Sequence, residues 1–398
     1  MNTKGSKSNL KAKSPAWVIT WYDNLIAQKL LDDVNIFNIN KRILAARTKQ
    51  QQKYYIKLIV ELASTCSTTD QKKFVELLLT NELHYINTCC CNLDKKQEFL
   101  LKISAFVAKE LYSLSNIVGV QPITAPVGLV YRLVYKDSNE NNNTPINQFQ
   151  LEIIKDTTSA ISRKLQACVS IEAMQDCTVL HDIDFEKEIA FIIAQEISYE
   201  IVKKIVDDIE TIAANNIINI KHRAGDLQPA HANAVINAIM QQANKIIRDT
   251  HRGVGNFIIC TANSAVTLKT YLSLSNIYTW CDEGKETSCF KIIHIKLCDT
   301  IAFKVYIHNF SQDETIDRFI IGYKGESGEV DTGYIFSPYI LVGTSGITIN
   351  TNTFLPQMEF ITRFGTHVNI NTDQIHNSKN YYRIVDADPL NACNQLIN

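Results

Sequence analysis

The sequence predicts an α+β protein, helical in its first half and built of strands and turns in its last third. Three observations carry this. Only 14 of the 398 residues are glycine, three of them before residue 225 and eleven from Gly225 onward. Residues 146–224 hold neither glycine nor proline, so nothing there breaks a helix or bends a strand. From Phe185 the apolar residues recur at 185, 189, 192, 193, 197, 201, 205, 209 and 212, the three- and four-residue steps of one helical face.

Taken in order, residues 1–57 carry eleven Lys/Arg and three Asp/Glu, a local +8 within a chain whose net charge is only −1. Lys4, Lys7, Lys11 and Lys13 read as a basic arm able to neutralise phosphates. Residues 15–115 show helical spacing, as at Leu58 and Leu62 or Phe74, Leu77 and Leu78, and predict three or four helices. VGVQPITAPVGLVYRLVY (118–135) is a Pro- and Gly-punctuated loop leading into a β-branched and aromatic strand. A polar loop follows at 136–148, and the alternation after it predicts a returning strand that makes a long hairpin over 129–170. Next comes the long helix, 184–213, with Asp182 and Asp184 placed to cap it, and a second helix over 231–250. Beyond Gly255, short strands are expected at 256–260, 290–297, 301–307, 317–323 and 334–342.

The sequence carries no catalytic or metal-binding motif. The nine histidines form no HExxH or zinc-type spacing, and neither GxSxG nor GxxxxGK[ST] occurs. RGVGN (252–256) follows a helix and precedes a strand, the reverse of a dinucleotide loop, so it is expected to be a helix-ending turn with glycine at the helix C-terminus. Asp207 and Asp208 fall on the polar face of the long helix and read as solvated. No catalytic, cofactor-binding or metal-ligating set is assembled, no cofactor is implied, and the sequence argues against an enzyme. The cysteines number eleven, three of them consecutive (Cys89, Cys90, Cys91) and none in a CxxC pair, which implies free thiols and folding in a reducing cytoplasm. No run of 18 apolar residues is present, so no membrane partner is expected.

Four blocks together resemble one family. They are NIVGVQPITAPVGLVYRLVY (116–135), the stretch from SRKLQACVSI to IVDDI (162–209), RGVGNFIIC (252–260), and the run from KVYI to FLPQMEFITRFG (304–365). Each is ordinary strand, helix or turn chemistry by itself, but in this order they are similar to the major capsid proteins of T-even-type tailed bacteriophages. The resemblance implies the HK97-like capsid fold. Its parts would be an N-terminal arm and helical region (1–115), an extended loop (116–170), a peripheral domain with a long spine helix (171–250), an axial domain (251–350), and a return to the peripheral domain (351–398). It implies a virion shell protein that assembles with itself as hexamers or pentamers, beside vertex, portal and scaffold proteins. The basic arm would contact packaged DNA; deleting residues 1–13 is then expected to alter particle yield or DNA content more than subunit folding. The paralogous pentameric vertex protein and an encapsulin-like compartment shell are the alternatives.

Three departures from that family stand out. Only about 26 residues separate the first two blocks, so the family's large insertion domain is expected to be missing. Ala125 stands where the family usually has glycine. Ile59-Val60-Glu61 fits the triplet after which a prohead protease cuts, but Leu62 follows where a small residue is expected, and an amphipathic helix explains these residues equally well.

Overall fold

Helices come first because the apolar residues before residue 112 repeat at helical spacing. A computed structural model describes residues 49–89, 94–137, 149–168, 170–172, 185–221, 228–275, 279–286, 289–297, 301–309, 316–325, 329–350, 355–369 and 377–388. The chain divides after Gln52 into two units. Of the first, only the opening turn of a helix, residues 49–52, is described. The basic residues 1–13, the loop tip 138–148, Asp182, Asp184, Cys90, Cys91 and Gly328 lie outside the described residues.

Helices α1 (Lys49–Ser64), α2 (Thr69–Cys89) and α3 (Asp94–Leu111) occupy the span expected for three or four. Thr68 caps α2, its Oγ1 accepting the Gln71 N–H at 3.2 Å. Each helix buries one stripe: Leu58, Ile59 and Ala63; Val75, Leu78, Leu79 and Leu83; Leu101, Ala105, Ala108 and Leu111. The Ile59-Val60-Glu61 triplet lies inside α1 with Ile59 in the core, so the fold does not offer it as an extended protease substrate.

Two sheets follow. The first has the order β1 (Gly119–Val120), β11 (Tyr334–Ile349), β12 (Pro356–Val368) and β4 (Ile161–Cys168). The second has seven strands, in the order β5 (Ile217–Ile220), β13 (Tyr382–Ala387), β10 (Asp317–Gly322), β6 (Phe257–Thr261), β9 (Ile301–His308), β8 (Lys291–Leu297) and β7 (Thr279–Glu286). Separately, β2 (Val127–Asp137) and β3 (Phe149–Ser159) pair only with each other among the described strands.

The central strands β13, β10 and β6 of the seven-stranded sheet are buried on both faces, and their two-residue period sorts the side chains into two cores. Ile258, Cys260, Phe319, Ile321, Val385 and Ala387 point to one side, against α5 (Gln228–Thr250) and α6 (Ala262–Ser275). Phe257, Ile259, Ile320, Tyr382 and Ile384 point to the other, into the core shared with α1–α3, the four-stranded sheet and α4 (Phe185–Ala213). At 29 residues α4 is about 43 Å long. Ile193, Ile197, Ile201, Ile205 and Ile209 are its buried stripe, whereas Ile192, counted with that face from its spacing, sits 59% exposed beside Phe191 at 53%.

Several expectations need correction. The returning arm of the hairpin does not run to residue 170: β3 ends at Ser159, and after Ala160 the chain becomes β4, which pairs with β12 from Gln357↔Cys168 to Phe364↔Ile161. The segment 251–350 is split between the sheets, since β11 leaves the seven-stranded sheet for the other one, and β13 of the segment 351–398 joins β10. From the segment 171–250, α5 packs on the seven-stranded sheet. The strand expected to end at 342 continues to Ile349, with Gly343 and Gly346 paired to Ile361 and Glu359 beside register shifts. Helix α5 ends on a non-glycine residue: His251 takes the left-handed conformation (φ 54°). Gly253 and Gly255 serve close packing instead, against the Tyr323 ring and the α5 backbone at Ala243.

Candidate functional site

A two-stranded ribbon cannot bury its own faces, so what matters is how its root is held. The β2–β3 ribbon has eleven registered positions, from Val127↔Ser159 to Asp137↔Phe149, or about 35 Å of ribbon. Val127 and Leu129 near its base are 63% and 50% exposed, two apolar side chains on one face left largely open by the described residues.

The root is clamped by polar groups from segments far apart in sequence. Gln121, buried beside the end of β1, accepts the Tyr131 N–H and donates to the Tyr131 carbonyl, both at 2.8 Å. The same Nε2 also donates to the Glu329 carbonyl at 2.9 Å. Arg132 on β2 holds Asp156 on β3 through Nε at 2.8 Å and a terminal nitrogen at 2.6 Å. His367 of β12 lies 3.2 Å from the same carboxylate. Its imidazole is held below its ordinary range, chiefly by burial, with the Arg132 charge acting the same way against the pull of Asp156. Arg132, bonded to that carboxylate through two nitrogens, is the charge partner of Asp156. Closest approach is allowed by two glycines. A Cβ on Gly128 would lie 2.5 Å from Ile123, and one on Gly365 would lie 2.5 Å from Thr158 Oγ1.

Behind this clamp lies a second, drier group of charges. Arg252, just past the end of α5, donates to the Leu133 carbonyl of β2 at 2.9 Å and pairs with Asp331 at 3.7 Å; the two side chains are 4% and 5% exposed. Burial raises the Asp331 carboxyl, while Arg252 first and then Lys324 pull it down. Lys324 donates to the Ser115 carbonyl and lies 3.4 Å from Glu329, whose Oε2 accepts the Val120 N–H at 2.5 Å. The ribbon, β1, the loop before β11 and the end of α5 thus share one network.

Two further ties fix α4. Asp208, expected to be solvated, accepts the Tyr334 hydroxyl at 2.7 Å and pairs with Lys204. The Tyr334 phenol, fully buried, is pushed up by that burial and then by the carboxylate. Arg318 on β10 grips both oxygens of Asp386 at 2.9 Å and pairs with Glu210 of α4, which ties the helix to the sheet.

None of Gln121, Arg132, Asp156, Arg252 or Asp331 was singled out for a role by the sequence. Their partners lie up to 208 residues away, and no local spacing announces such pairs. Among the described residues no cluster of His, Cys, Asp and Glu could hold a metal ion, and no helix is long and apolar enough to cross a membrane.

Comparison with known proteins bears on this arrangement. The chain is 30% identical over 250 residues to the major capsid protein of Vibrio phage KVP40, covering 58% of this chain and 47% of that one. Against the major capsid protein of Enterobacteria phage T4 it is 30% identical over 249 residues, with coverage of 58% and 47%. The chain thus spans about half the length of the curated relatives it matches. A solved structure from Mycobacterium phage Bobi superposes with a TM-score of 0.43 at 11% identity, covering 69% of this chain and 89% of that one. The sequence model of the family described as major capsid protein Gp23 matches residues 136–387, from the end of β2 through β13. With well over half of its length inside that match, the chain belongs to the major capsid protein Gp23 family.

Proposed function

We propose that this chain is the major capsid protein of a tailed bacteriophage, assembling with copies of itself into the icosahedral head shell around the genome, and that it carries no enzymatic activity. The observation that supports it most is the pairing of the family match with a long ribbon clamped at its root, where Val127 and Leu129 stand exposed. A shell protein works through its interfaces. Around a ring of six, one patch meets a different patch on the neighbour, and rotation closes the ring. Obligate contacts of that kind bury upward of about 2,000 Å². A ribbon held stiffly at one end and unable to fold back is suited to lie across a neighbour.

In this reading the four-stranded sheet with α4 is the peripheral domain, and the seven-stranded sheet with α5 and α6 is the axial domain. The extended loop is the β2–β3 ribbon, shorter than the segment expected from sequence. Residues 1–13 would face the interior and the packaged DNA. Hexamers of this chain, with pentamers at vertices, would meet the portal, scaffold and vertex proteins of the same particle in the virion, after assembly in the host cytoplasm.

The test is a tip deletion. Replacing residues 138–148 by Asn-Gly joins the paired positions Asp137 and Phe149 through a tight two-residue turn. The variant is expected to match the parent in thermal unfolding but to form no closed shells by electron microscopy, where the parent forms shells, sheets or tubes. Closed shells of normal size from the deletion, or a parent that stays monomeric, would overturn the proposal.

A further inference from the structure

Strand β11 is paired to β12 with three irregularities, two of them adjacent: Pro338 pairs with Phe364, Ile340 with Arg363, and Gly343 with Ile361. Tyr339, Leu341 and Val342 are left without β12 partners, and a buried bulge must satisfy its backbone groups elsewhere. Some of them are met from α2. Asn81, 5% exposed, donates from Nδ2 to the Tyr339 carbonyl at 3.2 Å and the Pro338 carbonyl at 3.4 Å. Glu82, fully buried, accepts the Leu341 N–H on Oε2 at 2.7 Å. Two consecutive side chains of one helix therefore fill the bulge, and α2 lies before residue 136, outside the stretch matched to the family.

A carboxylate is a costly group to put there. The titratable groups on the neighbouring turn of α2 and on the strands at the bulge are His84 and Tyr85, Tyr339 of β11, and Arg363 of β12, the last stacked over the Tyr339 ring at 5.3 Å. On α3, Glu98, Lys102 and Lys109 line the groove toward Phe191 of α4. Among the described residues, burial and two backbone N–H groups are what act on the Glu82 carboxyl, with no charged group beside them. Burial pushes its carboxyl up to about 8, against the opposing pull of the Leu341 and Val342 N–H groups.

We propose that protonated Glu82 is a latch: with its proton it seats α2 in the β11 bulge, and loss of the proton weakens that seat, so pH sets how firmly the N-terminal helices are held to the sheet. The sign follows from linkage. Released from the bulge, Glu82 would titrate near its ordinary 4.5; seated, it titrates near 8. The seat is firmest below the first value and loses strength as pH rises to the second. Over that window, opening becomes about tenfold more favourable per pH unit, and beyond it the effect levels off.

The measurement is hydrogen exchange of the α2 amides in the full chain between pH 5 and 9, corrected for intrinsic exchange chemistry, for the parent and Glu82→Gln, which mimics the protonated acid. Expected is a steep rise of α2 opening with pH in the parent and a nearly flat profile in the variant. Equal slopes in the two proteins, or a flat parent, would overturn the latch. Should the variant fail to fold, the infrared carbonyl stretch of the parent decides. A buried carboxylic-acid band that persists at pH 7 and vanishes as α2 loosens supports the latch, and its absence at pH 6 overturns it. Neither readout depends on shell assembly, so this inference and the capsid reading can fail separately.

Discussion

Gly119→Ala is expected to destabilise the subunit by about 3 kcal/mol, the upper part of the range for forcing a methyl into a packed site. A Cβ at this position would lie 2.4 Å from the Glu329 carbonyl oxygen and 2.7 Å from Thr332 Cγ2. Backbone has no rotamer through which to escape. The Glu329 carbonyl is moreover the acceptor for Gln121, and its carboxylate is the acceptor for Val120, so the displacement would loosen β1 and the ribbon root together. Gly253→Ala makes the contrast. Its Cβ would also come to 2.4 Å of a neighbour, but that neighbour is the ring edge of the half-buried Tyr323, which can swing aside. About 1 kcal/mol is expected there. Chemical denaturation of the two variants beside the parent checks both values, and equal losses would mean that the Glu329 segment yields as readily as a side chain does.

These two glycines show where sequence reading succeeds and where it stops. Their crowding after residue 225 marks the strand-rich region, and the glycine-free stretch before it holds β3, β4 and α4, the last within one residue of its expected ends. What each glycine does is set by which atom comes near it, and that atom belongs to another segment. The same limit explains β4. Alternation along 149–171 reads as one strand of one hairpin, and only the register with β12 shows that the chain changes sheets at Ala160. Helix α6 was missed for a different reason. Its sequence, ANSAVTLKTYLSLS, is rich in Ser and Thr, residues of modest helix propensity, and Thr267, Thr270 and Ser273 return their hydroxyls to carbonyls four residues back. Packing of Leu268, Tyr271 and Leu272 against the sheet makes it helical, and no local signal carries that packing. Polar groups were the least legible of all. Asp208 and Glu82 look alike on paper, as carboxylates on amphipathic helices, yet one holds a buried tyrosine and the other fills a strand bulge.

Arg252→Ala is the larger loss, expected at about 3–5 kcal/mol, because it strips the first counter-charge from a carboxylate in the interior. Asp331 is 5% exposed and already raised by burial; Arg252 is the strongest influence holding it down, ahead of Lys324. Without the guanidinium the carboxyl rises further, so the variant's deficit should grow as pH increases and shrink toward acid, where Asp331 is protonated and needs no partner. Asp331→Asn in the same background removes the stranded charge and should recover at least 1 kcal/mol, a coupling that a double-mutant cycle measures directly. Simple additivity would show that Arg252 acts through packing alone. The consequence for assembly comes from its other bond. Arg252 donates to the Leu133 carbonyl of β2, so the residue that neutralises Asp331 also ties down the ribbon. Arg252→Met, which keeps much of the apolar stem, should restore part of the stability in the Asp331→Asn background but leave the ribbon root without that donor. If ribbon aim governs subunit contact, this stable double variant will still build fewer closed shells than the parent. Parental shell yield from it would place control of the ribbon in the Gln121 and Arg132 clamp instead.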